Sequence, residues 1–193
     1  MDLSSINKVY FIGIGGIGMS ALANYFLQKN ICVYGYDREA SAITENLTNL
    51  GSNIIYNFND FNINEFKNDL DYTLVIYTPA ISKEHPLLAK FKQNEFNVFK
   101  RAEVLQKISE NSKCIAVAGT HGKTTTSAIL AHILKVSDLK FSAFVGGIMV
   151  NYNSNFLYNG EDYILVEADE FDRSFLKLNP NYACITSLDS DHL

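Results

Sequence analysis

Twice in this chain a short apolar run breaks into a glycine-rich turn and continues as a helix-periodic stretch. That feature restricts the possible folds more than any other. The first case is VYFI at 9–12 followed by GIGGIGMSALA. The second is CIAVA at 114–118 followed by GTHGKTTTSAILAHIL. A strand that feeds a helix through a tight glycine turn is the opening of a βα unit, and successive βα units form a parallel sheet with helices packed on it. The other strand candidates are ICVYGY (31–36), YTLVIY (72–77), YILVE (163–167) and ACITS (183–187), with a weaker run at 53–56. Met19, Leu22, Ala23, Phe26 and Leu27 fall at helical spacing, as do Thr126, Ile129, Leu130, Ile133 and Leu134, so each set is expected to form one buried helix face.

This pattern predicts an α/β fold: a Rossmann-like parallel-sheet domain over residues 1–110, then the first part of a P-loop α/β domain over 111–193. The polar stretch QKISENSK (106–113) separates them. The Asn-rich segment 151–159 reads as a surface loop. A hydrophobic content of 47% suffices for a core. A net charge of −5 without a Lys or Arg run gives no electrostatic footprint for nucleic acid. The apolar runs are interrupted well short of the ~20 residues of a membrane span, and the first residues lack an export signal, so a cytoplasmic location is expected. Cys32, Cys114 and Cys184 lie in apolar runs without CxxC spacing and read as buried strand thiols.

In the first glycine turn, Gly13, Gly15 and Gly18 have G-x-G-x-x-G spacing after a strand and at a helix start. Gly13 permits the tight turn. Gly15 lets backbone approach a phosphate, Gly18 is expected to allow close helix-to-strand packing, and the helix start offers free N–H groups to an anion. Asp37 closes the second strand, within reach of a ribose hydroxyl. The turn reports a diphosphate without saying which one, and by itself it would admit an NAD-dependent dehydrogenase.

In the second turn, Gly119, Gly122, Lys123 and Thr124 form the G-K-[ST] end of a P-loop, although Val117 stands where the strict motif has glycine. Its backbone N–H groups suit phosphates, Lys123 adds a positive charge and the Thr124 hydroxyl suits Mg²⁺. His121 within the turn either contacts nucleotide or fills the turn. His132 on the next helix and His85 before Pro86 have no catalytic reading, and His85 looks like a loop or helix-start residue. Glu167, Asp169, Glu170 and Asp172 cluster at the end of one strand, and Asp189, Asp191 and His192 follow another. Mg²⁺ bound to phosphates takes one or two such carboxylates, and Glu167 is nearest its strand. Gly13, Asp37, Thr78, Gly119, Glu167 and His192 thus all lie at or beyond strand C-terminal ends, where open α/β sheets bind ligands.

The joint motif set resembles the Mur ligase family. It comprises GIGGIGMSALA, KRAEVL (100–105), AGTHGKTTT (118–126), FVGG (144–147), EADEFDRSFLKLNP (167–180) and DSDHL (189–193). The resemblance implies an ATP-dependent amide-bond-forming enzyme using Mg²⁺ (or Mn²⁺). It further implies ligation of L-alanine to the lactyl carboxylate of UDP-N-acetylmuramate through an acyl phosphate, in peptidoglycan precursor synthesis. A family member that adds a preformed tripeptide to the same sugar is the alternative.

By this resemblance the diphosphate of the UDP sugar faces Gly13, Gly15, Gly16 and Gly18, with Asp37 and the 78–81 loop (Thr78, Ala80, Ile81) nearby. ATP meets Gly119, Thr120, His121, Gly122, Lys123, Thr124 and Thr125. Lys123 holds the transferring phosphoryl group, Thr124 and Glu167 hold one metal ion, and His192 helps to hold a second. Asp169, Glu170 and Asp191 are weaker candidates for orienting this cluster. No side chain reads as a covalent nucleophile, and no obligate protein partner is implied. The family's third domain is absent from this sequence, so the chain is expected to bind substrate without turning it over.

Overall fold

The computed structural model describes residues 3–168 and 175–189. The chain forms two compact units, Met1–Val104 and Leu105–Leu193.

The first unit is built on five parallel strands: β1 (Lys8–Ile12), β2 (Cys32–Tyr36), β3 (Asn53–Ile55), β4 (Thr73–Tyr77) and β5 (Asn97–Lys100). Their order is β3-β2-β1-β4-β5. β1 is central, with Lys8 in register with both Cys32 and Thr73. Helices α1 (Ile17–Gln28), α2 (Ala42–Asn49) and α3 (Pro86–Gln93) form the crossovers, together with short 3₁₀ turns between residues 58 and 72. Met19, Leu22, Ala23 and Phe26 of α1 are buried, as their spacing predicts.

Because side chains alternate along β1, its two faces enter different packing environments. Phe11 meets Phe26 of α1, with ring centroids 6.2 Å apart. Tyr10 and Ile12 face an aromatic cluster with Phe61, Phe66, Phe91 and Phe96. The Tyr10 ring lies 5.1 Å from Phe61 and 4.9 Å from Phe91, in tilted or edge geometries that aromatic quadrupoles favour. β5 was not among the strands expected from sequence. It is four residues long with no fully buried side chain, which leaves it without the apolar run that marks the others.

The second unit begins within α4 (Arg101–Ser109), the helix that leads out of the first. It contains β6 (Lys113–Ala118), α5 (Lys123–Val136), β7 (Phe141–Met149), β8 (Ser154–Tyr158), β9 (Tyr163–Glu167) and β10 (Tyr182–Ile185). The sheet order is β10-β6-β9-β7-β8, parallel except for β8, which pairs antiparallel with β7.

Three sequence expectations are corrected here. The segment 151–159 is not simply a surface loop, since β8 lies within it and buries Asn155, Phe156 and Leu157. Pairing with β7 supplies the backbone partners that the Asn-rich composition argued against. Helix α5 buries Ser127, Ala131 and Leu134, while Ile129 and Ile133 are exposed. Small side chains at 127 and 131 form the packed stripe and turn the bulkier one outward. Among the cysteines only Cys114 is buried, and burial pushes its thiol up to about 11. Cys32 begins β2, and Cys184 lies on β10, an outer strand whose four residues are all exposed.

Two groups in the first unit generate tests. The Tyr10 hydroxyl is buried without a hydrogen-bond partner, and burial raises its pKa. Removing a buried unsatisfied hydroxyl is favourable, so Tyr10→Phe should stabilise the unit by about 1 kcal/mol. A lower urea midpoint for the variant would contradict this.

His85 caps α3, its Nδ1 accepting the Leu87 N–H at 3.3 Å, and burial depresses its pKa below the usual 6.5. Below pH 6.5 the unfolded chain therefore binds more protons than the folded one. The associated stability is present above that pH and is lost as pH falls through the depressed folded value. His85→Asn keeps a capping acceptor without a titrating ring. Thermal melts from pH 7.5 to 5, as test conditions chosen around the histidine range, should show a flatter acid limb in the variant. An unchanged limb would exclude His85 as its source.

Candidate nucleotide sites

In the first unit, β1 ends against the β2 carbonyl edge. Gly13 N–H and Ile14 N–H both donate to Tyr36 O, at 2.8 and 3.1 Å. Gly13 has φ +86°, a left-handed turn that an L side chain resists. Gly16 is the extended N-cap of α1, with no side-chain cap and no acidic residue in the first turn. That leaves the helix start suited to an anion.

The neighbouring expected residues converge on this turn. Thr78 and Ile81 side chains lie beside Gly13, and Ala80 N–H donates to Thr78 Oγ1 at 3.3 Å. Asp37 turns into the loop, where Oδ2 accepts Gly15 N–H at 2.7 Å and Oδ1 accepts Arg38 N–H at 2.8 Å. Its carboxylate thus anchors the glycine turn in this conformation.

Gly18 faces a side chain that its spacing did not suggest. A Cβ there would meet the Arg101 side chain, with Cζ at 2.9 Å, so Gly18 makes room for a guanidinium. Sequence reasoning did not place Arg101 at this turn. It follows β5, and because that strand was unrecognised, the rule that places ligand residues at strand C-terminal ends could not be applied to it.

In the second unit, β6 runs into the turn 119–122 and α5 starts at Lys123. Gly119 has φ +128° and Gly122 has φ +79°. A Cβ on Gly119 would lie 2.8 Å from Ser187 N and against the Thr186 hydroxyl. The turn is laced to the segment after β10. Thr120 N–H donates to Ser187 O at 3.0 Å, and His121 N–H donates to Ser187 Oγ at 3.0 Å. The Thr186 hydroxyl donates to His121 O, and Asp189 N–H donates to Thr120 Oγ1 at 3.0 Å. His121 therefore has its main chain tied on both sides. Thr186 and Ser187 are additions to the expected set, and the only sequence signal for them was their place at a strand end.

Lys123 arches back over its own turn, Nζ donating to Gly119 O at 2.6 Å and to Thr120 O at 3.4 Å. The Thr124 hydroxyl donates to Glu167 Oε1 at 2.8 Å, and Gly146 N–H donates to Oε2 of the same carboxylate at 2.8 Å. Thr125 is exposed in the first turn of α5. The turn thus brings together an ammonium group, a hydroxyl and a carboxylate. Hard oxygen donors of this kind, few in number, suit Mg²⁺ or Mn²⁺ bound to phosphates. Among the described residues no group of three or more His, Cys, Asp or Glu side chains is placed to hold a metal. Asp169, Glu170, Asp172, Asp191 and His192 lie outside the described residues.

Two glycine turns of nucleotide-loop type, each on the C-terminal edge of a mainly parallel sheet, define an α/β protein built on strand–turn–helix units. The chain belongs to the Mur ligase family: residues 8–113 match the "Mur ligase family, catalytic domain" and residues 117–193 the "Mur ligase middle domain". It is 54% identical over 195 aligned residues to the UDP-N-acetylmuramate--L-alanine ligase of Flavobacterium psychrophilum, covering 100% of this chain and 43% of that protein. It is similar to the crystal structure of UDP-N-acetylmuramate-alanine ligase MurC from Thermotoga maritima, with TM-score 0.83 and 34% identity over 96% of this chain and 42% of that one. The tripeptide-type ligase from Neisseria meningitides shares the fold, with TM-score 0.82 at 21% identity over 97% of this chain and 62% of that one. The chain thus spans less than half the length of the curated relatives it matches.

Gly119 tests the geometry of the second turn. Gly119→Ala combines an unfavourable φ with steric conflict at Ser187 and should destabilise the second unit by more than about 1 kcal/mol. Urea unfolding followed by a probe in that unit should show the shift. An unchanged midpoint would mean that the turn relaxes freely.

Proposed function

We propose that this chain supplies the UDP-sugar-binding and ATP-phosphate-binding parts of a ligase that joins L-alanine to the lactyl carboxylate of UDP-N-acetylmuramate. The single observation that carries the phosphoryl-transfer part is the Thr124–Glu167 pair beside Lys123, at the mouth of a G-K-T turn. The sugar and amino acid rest on the 54% identity to an L-alanine ligase, which favours that reading over tripeptide addition. On this reading the functional boundary lies near residue 110, with the sugar site before it and the ATP site after it. The reaction belongs to peptidoglycan precursor synthesis in the cytoplasm.

In the reaction, the substrate carboxylate accepts a phosphoryl group from ATP. The resulting acyl phosphate is attacked by the amino group of L-alanine, and phosphate leaves as the amide forms. Positioning and charge stabilisation do most of this work. The start of α5 at Gly122–Lys123 presents backbone N–H groups to the phosphates, while those of Thr120 and His121 are held by Ser187. Lys123 exchanges its carbonyl partners, Gly119 O and Thr120 O, for phosphate oxygens and so brings its charge onto the transferring group. Thr124 and Glu167 would hold Mg²⁺ or Mn²⁺, and His192 is proposed to help hold a second ion. Bound there, the metal neutralises developing phosphate charge. In the first unit, Gly13, Gly15, Gly16 and Gly18 present the α1 start to the UDP diphosphate. Asp37 fixes the loop, and Thr78, Ala80 and Ile81 form its wall.

Calorimetry with UDP-N-acetylmuramate, and separately with ATP and Mg²⁺, tests the two halves. Each ligand should bind, and binding of NADH without UDP-N-acetylmuramate would overturn the reading. In the full-length protein, Lys123→Ala should lower kcat by roughly 10²–10³, as for loss of a charge-stabilising donor, while sugar binding is unaffected. A kcat equal to wild type would remove Lys123 from the site. ADP release with L-alanine should exceed that with tripeptide.

A further inference from the structure

Glu167 is held from two sides, and only one of them belongs to the P-loop helix. The other is Gly146 in β7, where a Cβ would lie 2.7–2.8 Å from Oε1, Oε2 and Cδ of Glu167 at once. The next residue acts on the partner side chain, since a Cβ on Gly147 would lie 2.9 Å from Thr124 Cγ2. Two consecutive glycines of one strand therefore each abut one member of the hydroxyl–carboxylate pair. Between Phe144 and Met149 the β7–β8 register shifts, so the backbone at this point departs from the regular ladder. Glycine inside a strand marks such irregularities and close backbone approach, and strand bulges re-aim groups beside active sites.

We propose that Gly146 and Gly147 are positioning residues for the metal-holding pair. Gly146 aims the Glu167 carboxylate through its N–H, and Gly147 leaves the space that fixes the Thr124 side chain. This inference rests on the reading that Thr124 and Glu167 hold the divalent ion. The strand thus sets which carboxylate oxygen faces Thr124. Oε2 is occupied by Gly146 N–H and Oε1 by the Thr124 hydroxyl, so both oxygens are oriented before any ligand arrives. Orienting partners of this kind change metal affinity without touching the metal.

The contact at Gly147 allows a specific test because it involves the Thr124 methyl group, which Thr124→Ser removes while keeping the hydroxyl. In the full-length protein, binding of Mn²⁺ in the presence of a non-hydrolysable ATP analogue would be followed by electron paramagnetic resonance. The set comprises wild type, G147A, T124S, G147A/T124S and E167Q, with thermal melts and UDP-N-acetylmuramate calorimetry on each. Relative to wild type, G147A should weaken Mn²⁺ binding roughly 10- to 100-fold and leave sugar binding unchanged. In the T124S background the same change should have little effect, giving a clear coupling in the double-mutant cycle. Wild-type Mn²⁺ affinity in G147A, or an equal loss in both backgrounds, would overturn the proposal. If G147A melts at a lower temperature, T124S should restore the melt, and failure to do so also overturns it. E167Q separates the two levels of the argument. Unchanged Mn²⁺ binding in E167Q would sink the metal-site reading itself, whereas weakened binding there with no effect of G147A would sink only the positioning role.

Discussion

Parallel pairing is the constraint on which both units depend. A parallel strand cannot be joined to its neighbour by a tight hairpin, so the chain must cross over, and each crossover begins where a strand ends. All strand C-termini of a parallel set therefore fall on one edge of its sheet. In the first unit this places Gly13, Asp37, Thr78 and Arg101 around one helix start. In the second it places Gly119, Glu167 and the 186–189 segment around another. Residues far apart in sequence become neighbours through strand order alone.

The two turns meet similar geometric demands with different chemistry. In the first, a carboxylate from the next strand, Asp37, takes a loop N–H, and a guanidinium from the end of β5 lies against the helix start. The turn is braced by groups of both signs. In the second, Lys123 caps the loop's own carbonyls, and the carboxylate is directed away from the loop to Thr124 and Gly146. That arrangement sets the ammonium group on the loop's own carbonyls and holds the carboxylate at a strand end from two sides.

The first turn and its helix were legible in sequence because every signal there is local. Glycine spacing, the preceding strand and the buried stripe Met19, Leu22, Ala23, Phe26 all lie within one βα unit. The G-K-T turn was legible for the same reason. What sequence reasoning missed came from elements with weak local patterns. β5 lacks a buried apolar run, β8 lies inside an Asn-rich segment, and the outward stripe of α5 is as apolar as the inward one. Without β5, Arg101 had no assigned place. With FVGG seen only as a motif, Gly146 and Gly147 had no assigned contact.

The sequence alone determined the α/β class and the two glycine turns with the helices they start, and it singled out Lys123, Thr124 and Glu167 as candidate site residues. Those features depend on residue type and on spacing along the chain. Tertiary structure decided which strand lies beside which, and therefore that Asp37 binds its own loop, that Gly18 accommodates Arg101, and that Glu167 is gripped between α5 and β7. Those contacts join residues 22, 83, 43 and 21 positions apart. No local periodicity encodes such pairs, because strand order is chosen by burial of the whole sheet rather than by any one turn.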